Sequence, residues 1–388
     1  MVGPVSRWWL KLSISSGLVS AVRPASRSVL VAALVACSTA DLTPASAPPT
    51  SSGGPAAAPT EDQDPGTVPP IDGGSEPEAG STPLAMSSGV TIQVLPSDSG
   101  DALLAAIRGA KKSVHMTMYL LTNDDVVTAL GDLKKAGKDV KVVLNKTFPP
   151  NGGDNQPKYT ALKNKGVQVT WAPSGYTFTH AKTIVIDGEK ALIMTMNLTE
   201  SSATTNREYI ATDTDPADVA ELEKIFAADL SNQAVRLPSK LVISPADANT
   251  LHSARQQIKA LIDSAKTSLD VEAQSLSDDT IVDAIVSAHQ SKVDVHVVVD
   301  GDTVSTPSQK DAVAKLKEHG VPVRSLKSPD MHAKAIVVDE ARTFIGSQNM
   351  TPTALDQNRE IGVLTDAKSE ATKVRKVITS DFAKGAAL

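Results

Sequence analysis

One polar signature occurs twice in this chain at a constant distance. The first copy, THAKTIVIDGEKALIMTMN, carries His180, Lys182, Asp187 and Asn197 and is followed by Asn206, Arg207 and Glu208. The second, MHAKAIVVDEARTFIGSQN, carries His332, Lys334, Asp339 and Asn349 and is followed by Asn358, Arg359 and Glu360. Each residue and its counterpart are 152 positions apart. Chance does not keep so many polar residues in step, so the chain is an internal duplication. Whatever it folds into must contain two like halves.

Each copy opens an apolar, β-branched run, TIVID or AIVVD, that reads as a buried strand. Residues two apart on a strand share a face, which puts His180 with Lys182 and His332 with Lys334. Asn197 and Asn349 lie ten residues past the aspartates, where a hairpin return brings them alongside. Two such half-sites facing each other supply two imidazoles, two ammonium groups and two amides. That set suits a phosphodiester: cations and amides steady the phosphoryl oxygens, one imidazole attacks and the other protonates the leaving oxygen. Lysine is a poor metal ligand and no His-x-x-x-His or Cys pair accompanies the motif, so neither a metal nor another cofactor is expected.

The pattern His-x-Lys-x4-Asp followed by Gly-Ser-x-Asn resembles the phospholipase D superfamily over residues 89–388. The second copy matches it with Gly346, Ser347 and Asn349, whereas the first has Met194 and Thr195 before Asn197. The resemblance implies two homologous α/β halves about a pseudo-twofold with one shared active site, so that a single chain works as a monomer. It implies His180 and His332 as catalytic residues and Lys182, Lys334, Asn197, Asn349, Thr195 and Ser347 as phosphate ligands. It also implies Glu208 and Glu360 as the acids that hold the imidazoles; Asp187 and Asp339, on the opposite strand face, brace the site. Structural alternatives stand beside these roles: ion pairs for the lysines, turn caps for the asparagines, and glutamates paired with the adjacent Arg207 or Arg359.

Residues 1–37 carry Arg7, Lys11, Arg23 and Arg27, no acids, and a short apolar run ending at the only cysteine, Cys37. That run is shorter than the ~20 apolar residues of a membrane span and reads as a secretory signal. Leu34-Val35-Ala36-Cys37 is similar to a bacterial lipobox, which implies export and lipid anchoring through Cys37; an ordinary signal is the alternative. Residues 38–88, rich in Pro, Ala, Ser and Gly, contain seven acids and no Lys or Arg, the composition of a disordered tether. The chain carries −6; the four basic residues and the seven acids account for all but −3, left on residues 89–388. A dedicated duplex binder usually has a basic face, so the balance argues gently against a nuclease.

Within the body, helices are expected over Gly100–Lys111, Asp124–Ala136 and Lys158–Lys165 in half 1 (89–235). In half 2 (236–388) they are expected over Ala248–Ala265, Asp278–Gln290 and Lys310–His319. They alternate with the strands SVHMTMYLL, DVKVVLN and GVQVTWA, then SLDVEA, VDVHVVVD and GVPVRSL. Closing helices are expected over Asp215–Ala228 and Ala367–Phe382. Alternating βα units predict a mixed, mostly parallel sheet in each half. Trp171 and Tyr176, just before the first motif, are candidates for the substrate entrance, with a place in the core as the alternative for Trp171. The functional expectation is a phospholipase D-type phosphodiesterase hydrolysing or transferring the phosphatidyl group of phospholipids such as phosphatidylcholine at a membrane surface. The alternatives are a nuclease of the same family, a cardiolipin-synthase-like transferase and an inactive binding lipoprotein.

Overall fold

The computed structural model describes residues 84–96, 100–148, 153–199, 201–236, 239–246 and 252–388. The signal, Cys37 and the tether as far as residue 83 lie outside the described residues. The first half runs β1 (Thr91–Leu95), α1 (Asp101–Arg108), β2 (Ser113–Met118), α2 (Asp124–Lys135), β3 (Asp139–Leu144) and a small ribbon, β4 (Thr147–Phe148) with β5 (Gly153–Asp154). It continues through α3 (Gln156–Asn164), β6 (Gln168–Trp171), β7 (Thr183–Ile186), β8 (Lys190–Met194), β9 (Asn206–Asp213) and α4 (Pro216–Leu230). The second half begins β10 (Val242–Ser244), α5 (Ala254–Asp263), β11 (Ser268–Ala273), α6 (Asp279–Gln290), β12 (Asp294–Asp300), α7 (Pro307–Glu318) and β13 (Val323–Leu326). It ends β14 (Asp330–Met331), β15 (Lys334–Val338), β16 (Arg342–Gly346), α8 (Pro352–Asp356), β17 (Glu360–Thr365), α9 (Lys368–Lys384) and β18 (Ala386–Ala387).

Local chemistry repeats with the fold. Asn123 and Asp278 cap α2 and α6 identically, each side chain accepting the backbone N–H three residues on. Helix α5 starts at Ala254 because Ser253 caps it. The expected start at Ala248 lies outside the described residues. Helix α7 begins earlier than expected, at Pro307, where proline's missing N–H costs nothing.

The strands order as β1-β9-β8-β7-β2-β3-β6 and β10-β17-β16-β15-β11-β12-β13-β18, with β14 of the second half added to β9 of the first. Each sheet is mixed, but only β2/β3/β6 and β11/β12/β13 pair in parallel within a half. The expectation of mostly parallel sheets is thus corrected. Helical crossovers stop after β6 and β13, and the motif strands return through short turns, which makes their ladders antiparallel.

Alternation along the motif strands divides the core into layers. Ile184 and Ile186 of β7 face the helices of their own half, while Val185 joins a core shared between the sheets; Ile336 and Val338 against Ala335 and Val337 repeat this in β15. The Met194 departure from Gly is a packing exchange. A Cβ at Gly346 would meet Phe344 and Gln348 at under 3 Å; the first half has Leu192 and Met196 at those positions and fills the space with buried Met194. Met194 belongs to the core of its half and does not shape the catalytic pocket.

Residues 84–88, expected to be tether, are docked. Ser87 N–H donates to Leu364 O at 2.7 Å, and Leu84 and Met86 pack against the second half's core. The motif aspartates sit at the strand ends remote from the histidines, at φ 60° and 55°. Asp187 accepts from the backbone N–H groups of Lys111, Lys112 and Ser113, and Asp339 from those of Lys266, Thr267 and Ser268. They brace the turn entering β2 or β11 and do not touch the catalytic groups.

Partial burial alone would raise the Asp187 and Asp339 carboxyls, but these N–H donors outweigh it and hold both below the ordinary value of 3.8. Each therefore contributes stability that is complete above pH 3.8 and lost as pH falls below it. We expect Asp187→Ala to lower unfolding free energy by roughly 2–3 kcal/mol at neutral pH. In urea unfolding curves the gap from wild type should close as the pH is taken down through 3.8.

Candidate active site

The two halves meet by exchanging backbone hydrogen bonds. His180 N–H and Ala181 N–H donate to Arg359 O at 2.9 and 2.8 Å, and Arg359 N–H donates to Phe178 O at 2.8 Å. On the other side Asp330 N–H donates to Thr205 O at 3.1 Å, and β14 pairs in parallel with Asn206 and Arg207. The segment leading into each histidine is thereby fastened to the strand that carries the other half's glutamate.

The consequence is a crossed pair of contacts. His180 Nδ1 lies 2.8 Å from Glu360 Oε1, and His332 Nδ1 lies 2.8 Å from Glu208 Oε1. Both glutamates are fully buried. They do not pair with the adjacent arginines, which make a second crossed set instead. Arg207 Nε donates to Asp381 Oδ2 at 2.5 Å, and Arg359 Nε to Asp229 Oδ2 at 3.2 Å. Sequence reasoning missed these aspartates, although Asp229 and Asp381 also stand 152 residues apart.

Thr195 and Ser347, expected as phosphate ligands, have other work. Thr195 Oγ1 donates to Glu208 Oε2 at 2.5 Å and accepts Tyr209 N–H at 2.9 Å; Ser347 Oγ donates to Glu360 Oε2 at 2.6 Å and accepts Ile361 N–H at 3.0 Å. With each hydroxyl proton given to a carboxylate, these side chains hold the acids in place rather than meet substrate. Asn206 and Asn358 add Nδ2 contacts to the same glutamates, at 3.4 and 3.2 Å.

The lysines are buried and their ammonium groups turn back onto the histidine carbonyls, Lys182 to His180 O at 2.5 Å and Lys334 to His332 O at 2.7 Å. Beyond that the half-sites differ. Lys182 Nζ lies 5.0 Å from the centre of the Tyr119 ring, which also meets His180 edge-on. At the matching position Gln274 Oε1 accepts from Lys334 at 2.7 Å. The Oδ1 atoms of Asn197 and Asn349 are buried with no hydrogen-bond partner among the described residues.

Burial pushes the Glu360 carboxyl up to about 7 against the opposing pull of Lys182, Ser347 and Asn358. Burial likewise holds His332 below its ordinary value of 6.5 against Glu208, with Lys334 and Lys182 reinforcing it. The His332 side chain is 17% exposed and that of His180 6%, so one imidazole is drier than the other.

Trp171 takes its core alternative, and Tyr176 lines no entrance. Trp171 stacks on Tyr159 at 4.1 Å, and Tyr176 is buried over the Arg359 guanidinium, 4.4 Å from its centre. The carboxylates of Asp300, Asp302 and Asp330 lie within 4.8 Å of one another, but Asp300 is occupied by the backbone of Asp302 and Thr303 and Asp302 by Lys327. A double-mutant cycle on unfolding tests the crossing without any assay of activity. We expect His180→Ala and Glu360→Ala to couple by about 1–3 kcal/mol, and His180→Ala and Glu208→Ala far less.

The family model described as cardiolipin synthase, PLD-like domain, matches residues 103–230 and again 258–382. Cardiolipin synthase A of Yersinia pseudotuberculosis is 29% identical over 170 residues, 39% of this chain and 34% of that protein. The chain thus spans about a third of the length of the curated relatives it matches. Phosphatidylserine synthase of Haemophilus influenzae has a similar fold, with a TM-score of 0.60 at 14% identity over 79% of this chain and 89% of that one. Polyphosphate kinase of Porphyromonas gingivalis aligns at a TM-score of 0.57 and 15% identity, over 76% of this chain and 47% of that chain. With the family model falling once on each half, the chain belongs to the phospholipase D superfamily through two PLD-like domains.

Proposed function

We propose that this protein is a phosphodiesterase of phospholipids that moves a phosphatidyl group through a phosphohistidine, to an alcohol or to water. The observation that carries the reading is the crossed His–Glu pairing, which joins both motifs in one site. With each Nδ1 committed to a carboxylate, Nε2 is the atom for chemistry. The drier His180 suits the nucleophile: its Nε2 forms the N–P bond as the phosphorus–oxygen bond to the head group breaks. His332 suits the acid: the anionic phosphodiester, once bound, would offset the burial that disfavours its charged form, so that Nε2 carries the proton it gives to the leaving oxygen. It then takes a proton from the incoming alcohol or water, whose oxygen displaces Nε2 from phosphorus. Lys182, Lys334, Asn197 and Asn349 would hold the phosphoryl oxygens, where the transition state gathers charge. Cardiolipin synthase A and phosphatidylserine synthase are lipid enzymes by name, which favours transfer over simple hydrolysis. Export and a lipid anchor at Cys37 would place the site beside its substrate.

The test presents the full chain with vesicles of phosphatidylcholine or phosphatidylglycerol, with and without an added alcohol, and in parallel with single-stranded DNA. We expect phosphatidyl transfer or phosphatidate release from vesicles, reduced by at least about 10³-fold in His180→Ala and in His332→Ala. Cleavage of DNA with lipid untouched would reject the lipid reading in favour of a nuclease. Rapid-quench trapping of the phosphorylated protein should find phosphate on His180; phosphate on His332 would reverse the two roles.

A further inference from the structure

The duplication offers an internal control for the walls of the site. Beside His180 the wall is aromatic: the Tyr119 ring is centred 4.5 Å from the imidazole and meets Phe178 edge-on at 6.1 Å. The counterparts of these two residues in the second half are Gln274 and Asp330, both polar. The backbone is held alike in the two halves, since Asn155 Nδ2 donates to Tyr119 O at 2.6 Å and Gln309 Nε2 to Gln274 O at 3.2 Å. The side chains alone have changed character.

Gln274 N–H donates to Ala333 O at 2.9 Å, which seats the residue against the segment between His332 and Lys334. An ammonium group only donates, so the amide gives Lys334 its oxygen, at 2.7 Å, and its NH2 group is left for another partner. That nitrogen is within about 5 Å of Lys334 Nζ, which is itself 3.4 Å from His332 Nδ1. Gln274 is half-buried where Tyr119 is buried, and its Nε2 has no hydrogen-bond partner among the described residues. Asp330 is exposed two residues before His332, close enough to His332 and Glu208 for their charges to act on it. Its carboxylate makes no hydrogen bond or ion pair among the described residues. One short loop ties the two side chains together. Thr303 Oγ1 donates to Gln274 O at 3.2 Å, and Asp300, which accepts from Thr303 N–H, has its carboxylate within 4.8 Å of that of Asp330. An open donor and an open acceptor at the His332 edge of the site fit a molecule with several hydroxyls, each able to donate and accept. The carboxylate disfavours one that carries negative charge.

We propose that Gln274 and Asp330 form the acceptor-alcohol subsite and select a neutral polyol over a monohydric alcohol, an inference that rests on the phosphatidyl-transfer reading above. One hydroxyl reacts: its oxygen bonds to phosphorus as the bond from His180 Nε2 to phosphorus breaks, and its proton passes to His332 Nε2. A second hydroxyl accepts from Gln274 Nε2 and donates to Asp330. The aromatic pair Tyr119 and Phe178 offers no such partners, which leaves the His180 side to the phosphatidyl group.

The test is a competition within one reaction, so that a slower enzyme leaves the readout unchanged. The full chain is given vesicles of phosphatidylcholine or phosphatidylglycerol with deuterated glycerol and deuterated 1-propanol at equal concentration. The two labelled phosphatidyl products are then compared by mass spectrometry. We expect the wild type to favour glycerol, and the product ratio to fall about ten-fold in Gln274→Met and in Asp330→Ala. Tyr119→Leu should keep the wild-type ratio whatever its rate. Glycerol 3-phosphate in place of glycerol should be a poor acceptor for the wild type and a better one for Asp330→Ala. Thermal unfolding identifies the folded variants, and Asp330→Ala serves if Gln274→Met does not fold. A wild-type ratio in the folded variants, a ratio lost equally in Tyr119→Leu, or a wild type that favours 1-propanol would overturn the subsite alone. No phosphatidyl product of any kind from the wild type would instead bring down the lipid reading, and the subsite with it.

Discussion

Everything in this molecule depends on a contact that neither half can make alone. Each imidazole is oriented by a carboxylate from the opposite half, and each of those carboxylates is fully buried. A buried acid without its partner is costly, so the interface and the histidine site stabilise each other. The crossed Arg207–Asp381 and Arg359–Asp229 pairs repeat the logic one residue earlier on the same strands. The geometry is that of an isologous dimer, in which residue i meets j and j meets i, written into one polypeptide.

Fusion also frees the copies to diverge, because an exact twofold is no longer imposed. Tyr119 has become the neighbour of one lysine and Gln274 of the other. Tyr176 covers one interface arginine and has no counterpart over the second among the described residues. The polar frame of His, Lys, Glu, Arg and Asp stays constant while its surroundings change. A reaction with two unlike alcohol partners gains from such a site, since the roles of the two imidazoles need not be equivalent.

The doubled motif made the two-half fold, both histidines and both glutamates legible in the amino-acid sequence, because each is a polar residue that cannot be moved without losing its partner. Strand direction was not legible: β7 and β8 read as apolar runs, and nothing in TIVID or KALIM states that a short turn has replaced a helical crossover. Thr195 and Ser347 misled because a hydroxyl beside an asparagine suits a phosphate as well as a buried carboxylate. Met194 looked like a defect in the motif because its compensation, Leu192 in place of Phe344, lies in the core two residues away. Asp229 and Asp381 were within reach of the same subtraction that found the motif, but sit in helices where acids are common.

The docking of Ser87 against β17 has a consequence for how the protein is made. The chain enters its fold by binding the strand that carries Glu360, and Ser87 and Thr365 of that strand are 278 residues apart. Until β17 emerges from the ribosome, Leu84 and Met86 have no surface to rest on and His180 has no acid. A nascent polypeptide therefore holds one whole motif yet lacks the means to use it. Folding of β17 becomes a safety catch, releasing the proposed attack on lipid only once the second half is in place.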